Sequence, residues 1–280
     1  MQKHSISFLK NLANTIRYQL IEMSHIGKAS HLGSSLSCVD LIIAAYWRFL
    51  NVNPMNPLDP NRDRFILSKG HAVSTLYAVL SAKGFFKKAL LKTFNQEGSS
   101  LPEHPTPKCI PGLEAATGSL GHGLSLGIGH ALAGKIMNKD YKVVVLLSDG
   151  ECNEGSVWEA AMFAPKKNLN NLITIVDYNK WQATGKSEEI MQISPLKEKW
   201  QAFGWQTYEI DGNDLQDILN IFEKNSSREK PIAIIAHTIK GKGISFMEND
   251  NNWHYRIPTQ EEVKLAKEEL KIGDHEKCFC

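Results

Sequence analysis

Two residues set the question. Asp149 closes the apolar run "YKVVVLLS", and Asn179 follows the apolar run "NLITIVD" thirty residues further on. Each stands where a buried strand would end, and one strand–helix–strand unit separates them. Aspartate and the asparagine side-chain carbonyl are oxygen donors. Hard divalent cations such as Mg²⁺ and Ca²⁺ take oxygen ligands, and Mg²⁺ often binds through one or two carboxylates plus the phosphates of a ligand. Asp149, Asn179 and a nearby backbone carbonyl could hold a cation that bridges to a diphosphate. Singly, each residue has a plainer use, Asp149 as a helix-entry carboxylate and Asn179 as a turn residue. The pair is what points to a metal.

The elements that must position this pair are legible as short β-branched runs at 64–68, 141–148, 171–177, 205–210 and 231–238. Three of them are apolar on both faces, as buried parallel strands are. Helical patterns fall between, at about 5–25, 38–50, 71–83, 121–138, 155–167, 195–203, 214–225 and 259–271. The alternation predicts an α/β fold, a doubly wound, mostly parallel sheet with helices on both faces, as a single domain over 1–280. In such sheets ligands bind beyond the carboxyl ends of the strands. There the sequence places Lys69-Gly70-His71, Asp149-Gly150, Asp177-Tyr178-Asn179 and Ile239-Lys240-Gly241. The Pro- and Gly-rich stretch 85–120 reads as a long ordered active-site loop, and 273–280 as a flexible tail.

Composition bounds the rest. The 280 residues are 42% hydrophobic and 22% charged, with a net charge of +2 and both signs interleaved. That balance argues against a nucleic-acid partner. The run "LIIAAYWRFL" is too short to span a bilayer, so no membrane role is expected. The five cysteines are Cys38, Cys109, Cys152, Cys278 and Cys280. Their scatter predicts reduced thiols in a cytoplasmic protein. "KGKG" at 240–243 lacks the Walker pattern of a nucleotide loop.

Asp-Gly, about thirty residues, then Asn resembles the signature of thiamine-diphosphate enzymes, and the intervening "ECNEGSVWEAAMFA" is similar to its transketolase form. The blocks "GKASHLGSSLS" (27–37), "RDRFILSKGHAVSTLYAVL" (62–80), "EHPTPKCIPGLEAATGSLGHGLSLGIGHALA" (103–133), "EKWQAFGWQTYEIDGND" (198–214) and "AHTIKGKGISFMENDNNWHYRIP" (236–258) resemble transketolase blocks in family order. The resemblance implies Asp149, Asn179 and the Trp181 carbonyl as ligands of Mg²⁺, with Ca²⁺ or Mn²⁺ as substitutes. It implies Gly118 and Gly150 as points of close cofactor approach, and Leu120 and Ile239 as apolar packing on the cofactor rings. His31, His71, His104 and His254 match active-site histidines that bind the diphosphate and handle sugar hydroxyls, work that suits imidazole near neutral pH. Glu154 and Glu159 match interface glutamates, and Lys240 and Arg256 basic positions at the cofactor or substrate mouth. Glu151 keeps its plainer reading as a first-turn carboxylate. His4, His25 and His275 are expected at the surface, and His122, His130 and His237 in packing or structural roles.

The sequence departs from the pattern in two places that matter. Ser148 replaces the first Gly of Gly-Asp-Gly, and "Glu-His-Pro" replaces "Gly-His-Pro" around His104. The chain corresponds only to the diphosphate-binding domain of a whole transketolase. The resemblance therefore implies the N-terminal subunit of a split enzyme. A separate C-terminal subunit would complete the site in an α2β2 heterotetramer, moving a two-carbon ketol unit from a ketose phosphate to an aldose phosphate. The alternatives are the α subunit of a 2-oxo acid dehydrogenase, or a non-catalytic regulatory chain.

Overall fold

A computed structural model describes residues 4–106, 109–224 and 229–273. Of the tail expected at 273–280, only Gly273 lies within the described residues. The elements run α1 (Ile6–Gly27), α2 (Leu32–Ser37), α3 (Val39–Ala44), β1 (Arg64–Leu67), α4 (Val73–Lys83), α5 (Gly123–Ile136), β2 (Val143–Ser148), α6 (Gly155–Lys166), β3 (Leu172–Tyr178), α7 (Ser187–Ile190), α8 (Leu196–Ala202), β4 (Gln206–Asp211), α9 (Leu215–Lys224), β5 (Ile232–His237) and α10 (Gln260–Glu269). The strands make one parallel sheet in the order β1-β2-β3-β5-β4. All five expected strands are present within about two residues of their expected ends.

Burial follows from strand position. The inner strands β2 and β3 are buried at every residue, and β5 at all but His237. Both of their faces are covered, so nearly every position must be apolar. The edge strand β4 buries only Thr207 and Ile210, which is why "QTYEID" can carry Gln206, Glu209 and Asp211 at its exposed places. Because successive side chains point to opposite faces, the sheet feeds two cores. Val144, Leu146, Ile173 and Ile175 pack with α1, α3, α4 and α9 on one face. Val143, Val145, Leu147 and Val176 pack with α5, α6 and α8 on the other.

The helices carry their own signals. Ser5 caps α1 by accepting the Phe8 N–H at 3.1 Å. Thr259 and Glu262 close a capping box at the start of α10. Two helical expectations change. The helix expected at 38–50 divides into α3 and a π-helical turn at Ala45–Phe49. The stretch after His31 is a helix, α2, whose six residues are all buried. Its Gly and Ser residues are weak helix formers, so tertiary contacts hold it: Lys69 Nζ donates to the Ser34 carbonyl at 2.8 Å, and the Gly241 N–H donates to the Gly33 carbonyl at 2.9 Å.

Segment 85–120 holds one short 3-10 helix, Lys88–Thr93, among its described residues. It is anchored by buried Leu91, Phe94, Leu101 and Ile110. It also returns to the carboxyl end of β1. A Cβ on Gly70 would stand 2.6 Å from the Thr117 carbonyl carbon and 2.7 Å from the Gly118 nitrogen. Backbone cannot yield there as a side-chain tip can. Gly70→Ala is expected to cost about 1–3 kcal/mol by overpacking, read as a lower urea midpoint. An unchanged midpoint would show that the two segments part freely.

Candidate functional site

The polar residues after β1, β2, β3 and β5 meet at one end of the sheet. Beneath the surface lies Asp177, fully buried at the end of β3. Its Oδ2 accepts from Lys69 Nζ and from Ser37 Oγ at 2.6 Å, and its Oδ1 accepts from Thr238 Oγ1. One carboxylate thus ties the ends of β1, β3, β5 and α2. Burial alone would lower the Lys69 ammonium, but the adjoining Asp177 carboxylate outweighs it and the net direction is upward.

Asp149 follows β2 and is also fully buried. Its Oδ2 accepts from the Lys180 N–H at 2.9 Å and from Ser187 Oγ at 2.7 Å, whereas its Oδ1 has no hydrogen-bond partner. Burial, with a further push from Asp177, raises its carboxyl to about 7. A buried carboxylate oxygen without a partner is costly. Asn179 is buried as well, and its Oδ1 accepts the Trp181 N–H at 3.0 Å, which leaves a second lone pair on that oxygen.

Above these residues opens a cavity of about 360 Å³. His31, His71, His104 and His254 all line it, from four separate segments of chain. The His31 ring centroid is 4.9 Å from that of His254, 5.4 Å from His71 and 5.9 Å from His104. His31 has φ +65°, a left-handed conformation uncommon for histidine, and its N–H donates to the His254 carbonyl at 2.8 Å. Gly118, Leu120, Gly150, Glu154, Asn179 and Trp181 complete the expected residues on its walls. A Cβ on Gly118 would press on His104 at 2.9 Å, and one on Gly150 on Gln182 at 2.9 Å. The expected glycines therefore stand where side chains would crowd the walls.

Other expected residues fall elsewhere. Lys240 is fully buried behind His254, 3.5 Å from its Nδ1, and donates to Asn251 Oδ1 at 2.6 Å. Ile239 borders a neighbouring cavity, with its N–H donated to Asn213 Oδ1 at 2.9 Å. Arg256 is exposed, paired with Glu262 and lying over the Trp253 ring. Glu159 is exposed on α6. Glu151 is not the open first-turn carboxylate expected of it. It is fully buried and accepts from Ser68 Oγ, from the Gly121 N–H at 2.8 Å and from the Ser148 N–H at 3.2 Å. It joins the ends of β1 and β2 to the loop before α5. Lys69, Asp177 and Glu151 are thus structural residues of the site that sequence reasoning passed over. Their one signal was position, at or within three residues of a strand end.

Electrostatics make the cavity a basic centre short of protons. Burial lowers His71 strongly, with Lys69 and the other histidines adding to it. Burial and then His31 lower His104. Burial, then Lys240, brings His254 to about 3, and burial brings Lys240 to about 8. Several uncharged bases crowded together suit an anionic ligand, which would favour their protonated forms, and they suit proton exchange with hydroxyl groups. A larger cavity of about 760 Å³ lies beyond Trp181, bordered by Tyr178, Glu188 and His237. The smaller one is the better candidate, because Asn153 and Gln182 on its walls carry buried polar atoms without a partner, and Ser148 and Gly150, which flank Asp149, line it as well. Among the described residues no three His, Cys, Asp or Glu side chains are grouped to hold a metal by themselves.

The family profile described as "Transketolase, thiamine diphosphate binding domain" matches residues 9–279. The chain belongs to the transketolase family. It is 43% identical over 255 residues to an apulose-4-phosphate transketolase subunit from Phocaeicola vulgatus, covering 91% of this chain and 90% of that one. It is 42% identical over 266 residues to the 6-deoxy-6-sulfo-D-fructose transketolase subunit SqwG of a Clostridium species, covering 94% and 96%. The crystal structure of Campylobacter jejuni transketolase superposes with a TM-score of 0.90 at 31% identity, over 96% of this chain but 43% of that one. The Pichia stipitis transketolase complex with sedoheptulose 7-phosphate gives 0.91 at 28% identity, over 97% and 42%. This transketolase-family chain therefore spans nearly the whole of the two relatives named as subunits and less than half of each of those two transketolase chains.

His254 offers a test of the site's charge state. Its proton affinity drops from 6.5 to about 3 on folding. The unfolded chain then binds more protons between those values, so this stability is complete above 6.5 and is lost as pH falls toward 3. His254→Gln should lose less stability than the parent between about pH 7 and about pH 5. Equal losses in urea titrations would show that His254 does not carry the effect.

Proposed function

We propose that this chain is the N-terminal, thiamine-diphosphate-binding subunit of a split transketolase, active with a separate C-terminal subunit. The observation that carries the reading is the cavity at the carboxyl edge of the sheet, where four histidines meet above a buried carboxylate with an unpartnered oxygen. Asp149 Oδ1, the Asn179 side chain and the Trp181 carbonyl would hold Mg²⁺, with Ca²⁺ or Mn²⁺ as substitutes. One carboxylate cannot satisfy a hard cation alone, so the diphosphate would supply further oxygens. Gly118 and Gly150 would let backbone approach the cofactor, with Leu120 and Ile239 as apolar packing.

When bound, thiamine diphosphate supplies a carbon centre that can carry a two-carbon unit as a stabilised carbanion equivalent. The chain's own residues bind and move protons around it. His71 and His254, uncharged in the free cavity, can take hydrogen bonds or protons as an anion enters. His31 and His104 would orient the hydroxyls of a ketose donor and stabilise oxyanion charge as it develops. Lys240 behind His254 and Arg256 nearer the surface would bias the mouth toward anionic sugars. The relatives named for apulose 4-phosphate and for 6-deoxy-6-sulfofructose favour a sugar bearing a phosphate or another anionic group.

The subunit reading draws support from coverage of 90% and 96% of two relatives named as subunits. Exposed Glu154 and Glu159 would then face a second subunit in an α2β2 assembly. The described cysteines, Cys38, Cys109 and Cys152, are free thiols, which fits a cytoplasmic enzyme of sugar metabolism. No helix among the described residues is long and apolar enough to cross a membrane.

Reconstitution tests the reading. The purified chain with thiamine diphosphate and Mg²⁺ should transfer no ketol unit, and adding the C-terminal subunit should start turnover on a ketose phosphate and an aldose phosphate. Sugar transfer by the chain alone would refute the split.

A further inference from the structure

Glu103 stands just before His104, and its carboxylate reaches Ser30 and His31. Its Oε1 accepts from Ser30 Oγ at 2.7 Å and from the Ser30 N–H at 2.8 Å. The same Ser30 Oγ is 2.8 Å from His31 Nδ1, and His31 Nδ1 is 3.3 Å from Glu103 Oε1. Hydrogen-bond direction then follows by elimination. A serine hydroxyl carries one proton. The carboxylate can only accept, and His31 holds it at about 2 through their hydrogen bond, with Ser30 adding two more. Ser30 therefore gives its proton to Glu103 and has only lone pairs left for His31. The reverse arrangement would set two bare acceptor oxygens 2.7 Å apart. His31 Nδ1 must carry the hydrogen, and Nε2 is the ring nitrogen left with a lone pair for whatever enters the cavity that His31 lines.

We propose that Glu103 is a positioning residue that acts through Ser30 to hold neutral His31 as its Nδ1–H tautomer, making Nε2 a proton acceptor for a hydroxyl of the sugar substrate. The proposal concerns the site read above as that of a transketolase subunit and rests on that reading for the identity of the substrate. Sequence separation hides the relay, because Ser30 and Glu103 are 73 residues apart. It also gives a physical role to the carboxylate of "Glu-His-Pro". The α2 element fixes where the side chain starts, since His31 is its N-cap residue in a left-handed conformation, and Ser30 Oγ and Glu103 Oε1 hold the ring at Nδ1.

Long-range ¹H–¹⁵N correlation spectra of the ¹⁵N-labelled chain, recorded over a pH series, read the tautomer directly. The His31 signals are assigned by their loss in His31→Gln. The parent should show protonated Nδ1 and bare Nε2. Glu103→Ala removes the acceptor, so Ser30 can donate to Nδ1 and the proton should move to Nε2. Glu103→Gln keeps an acceptor oxygen at the same reach and should keep the parent tautomer. In the complex with the C-terminal subunit, Glu103→Ala should lower kcat roughly tenfold to hundredfold, with KM changed less than about threefold, and Glu103→Gln should restore most of kcat. A parent with the proton on Nε2 overturns the proposal. So does a Glu103→Ala variant that keeps either the parent tautomer or the parent kcat. The tautomer needs no turnover to be read. A parent complex inactive on sugars would refute the functional reading and leave the spectra to decide the role of Glu103.

Discussion

Two carboxylates are buried side by side at the carboxyl edge of the sheet, and only one of them has a countercharge. Asp177 is paired with Lys69 and hydrogen-bonded to Ser37 and Thr238. Asp149, whose N–H donates to the Asp177 carbonyl at 3.2 Å, has no ion-pair partner among the described residues and one oxygen without any partner. A buried pair is weak as a source of net stability, yet breaking one by removing a partner costs about 3–5 kcal/mol. Asp177 is therefore fixed once the sheet forms. It locks β1, β3, β5 and α2 in place, and it leaves Asp149 as the group whose charge awaits a cation.

The cavity's other properties follow from that arrangement. Lys69 must be buried to neutralise Asp177, and its charge is one reason His71 resists a proton. Lys240, buried behind His254, does the same to that ring. The result is an edge with a missing positive charge below and, above it, His71, His104 and His254, which resist protons. A cation together with a polyanion answers both conditions at once. That demand is local chemistry. It is met by a chain whose fold and sequence match the diphosphate-binding part of transketolases over nearly its full length.

Much of this was legible in the sequence, for identifiable reasons. Fully buried inner strands leave continuous apolar runs, so "VVVLLS", "LITIVD" and "IAIIAH" located β2, β3 and β5. Asp149 and Asn179 stood out because polar chemistry right after such strands is conspicuous, and the four histidines because the blocks that hold them resemble transketolase blocks. Burial and long-range pairing leave no such trace. Lys69 and Asp177 are 108 residues apart, and each has the composition of an ordinary turn residue. Glu151 passed as a helix-entry carboxylate because residue type does not reveal that three donors surround it. The α2 helix was missed because Leu32–Ser37 has poor intrinsic propensity and forms through contacts to Lys69, Gly241 and the loop before it.

Asp149 Oδ1 is the atom on which the metal site turns. The direct measurement is an anomalous difference map from crystals of the chain with its C-terminal partner, thiamine diphosphate and Mn²⁺. One strong peak is expected in contact with Asp149 Oδ1 and the Asn179 side chain. Cofactor bound in the cavity with the metal peak elsewhere, and Asp149 Oδ1 still without a partner, would contradict that metal site.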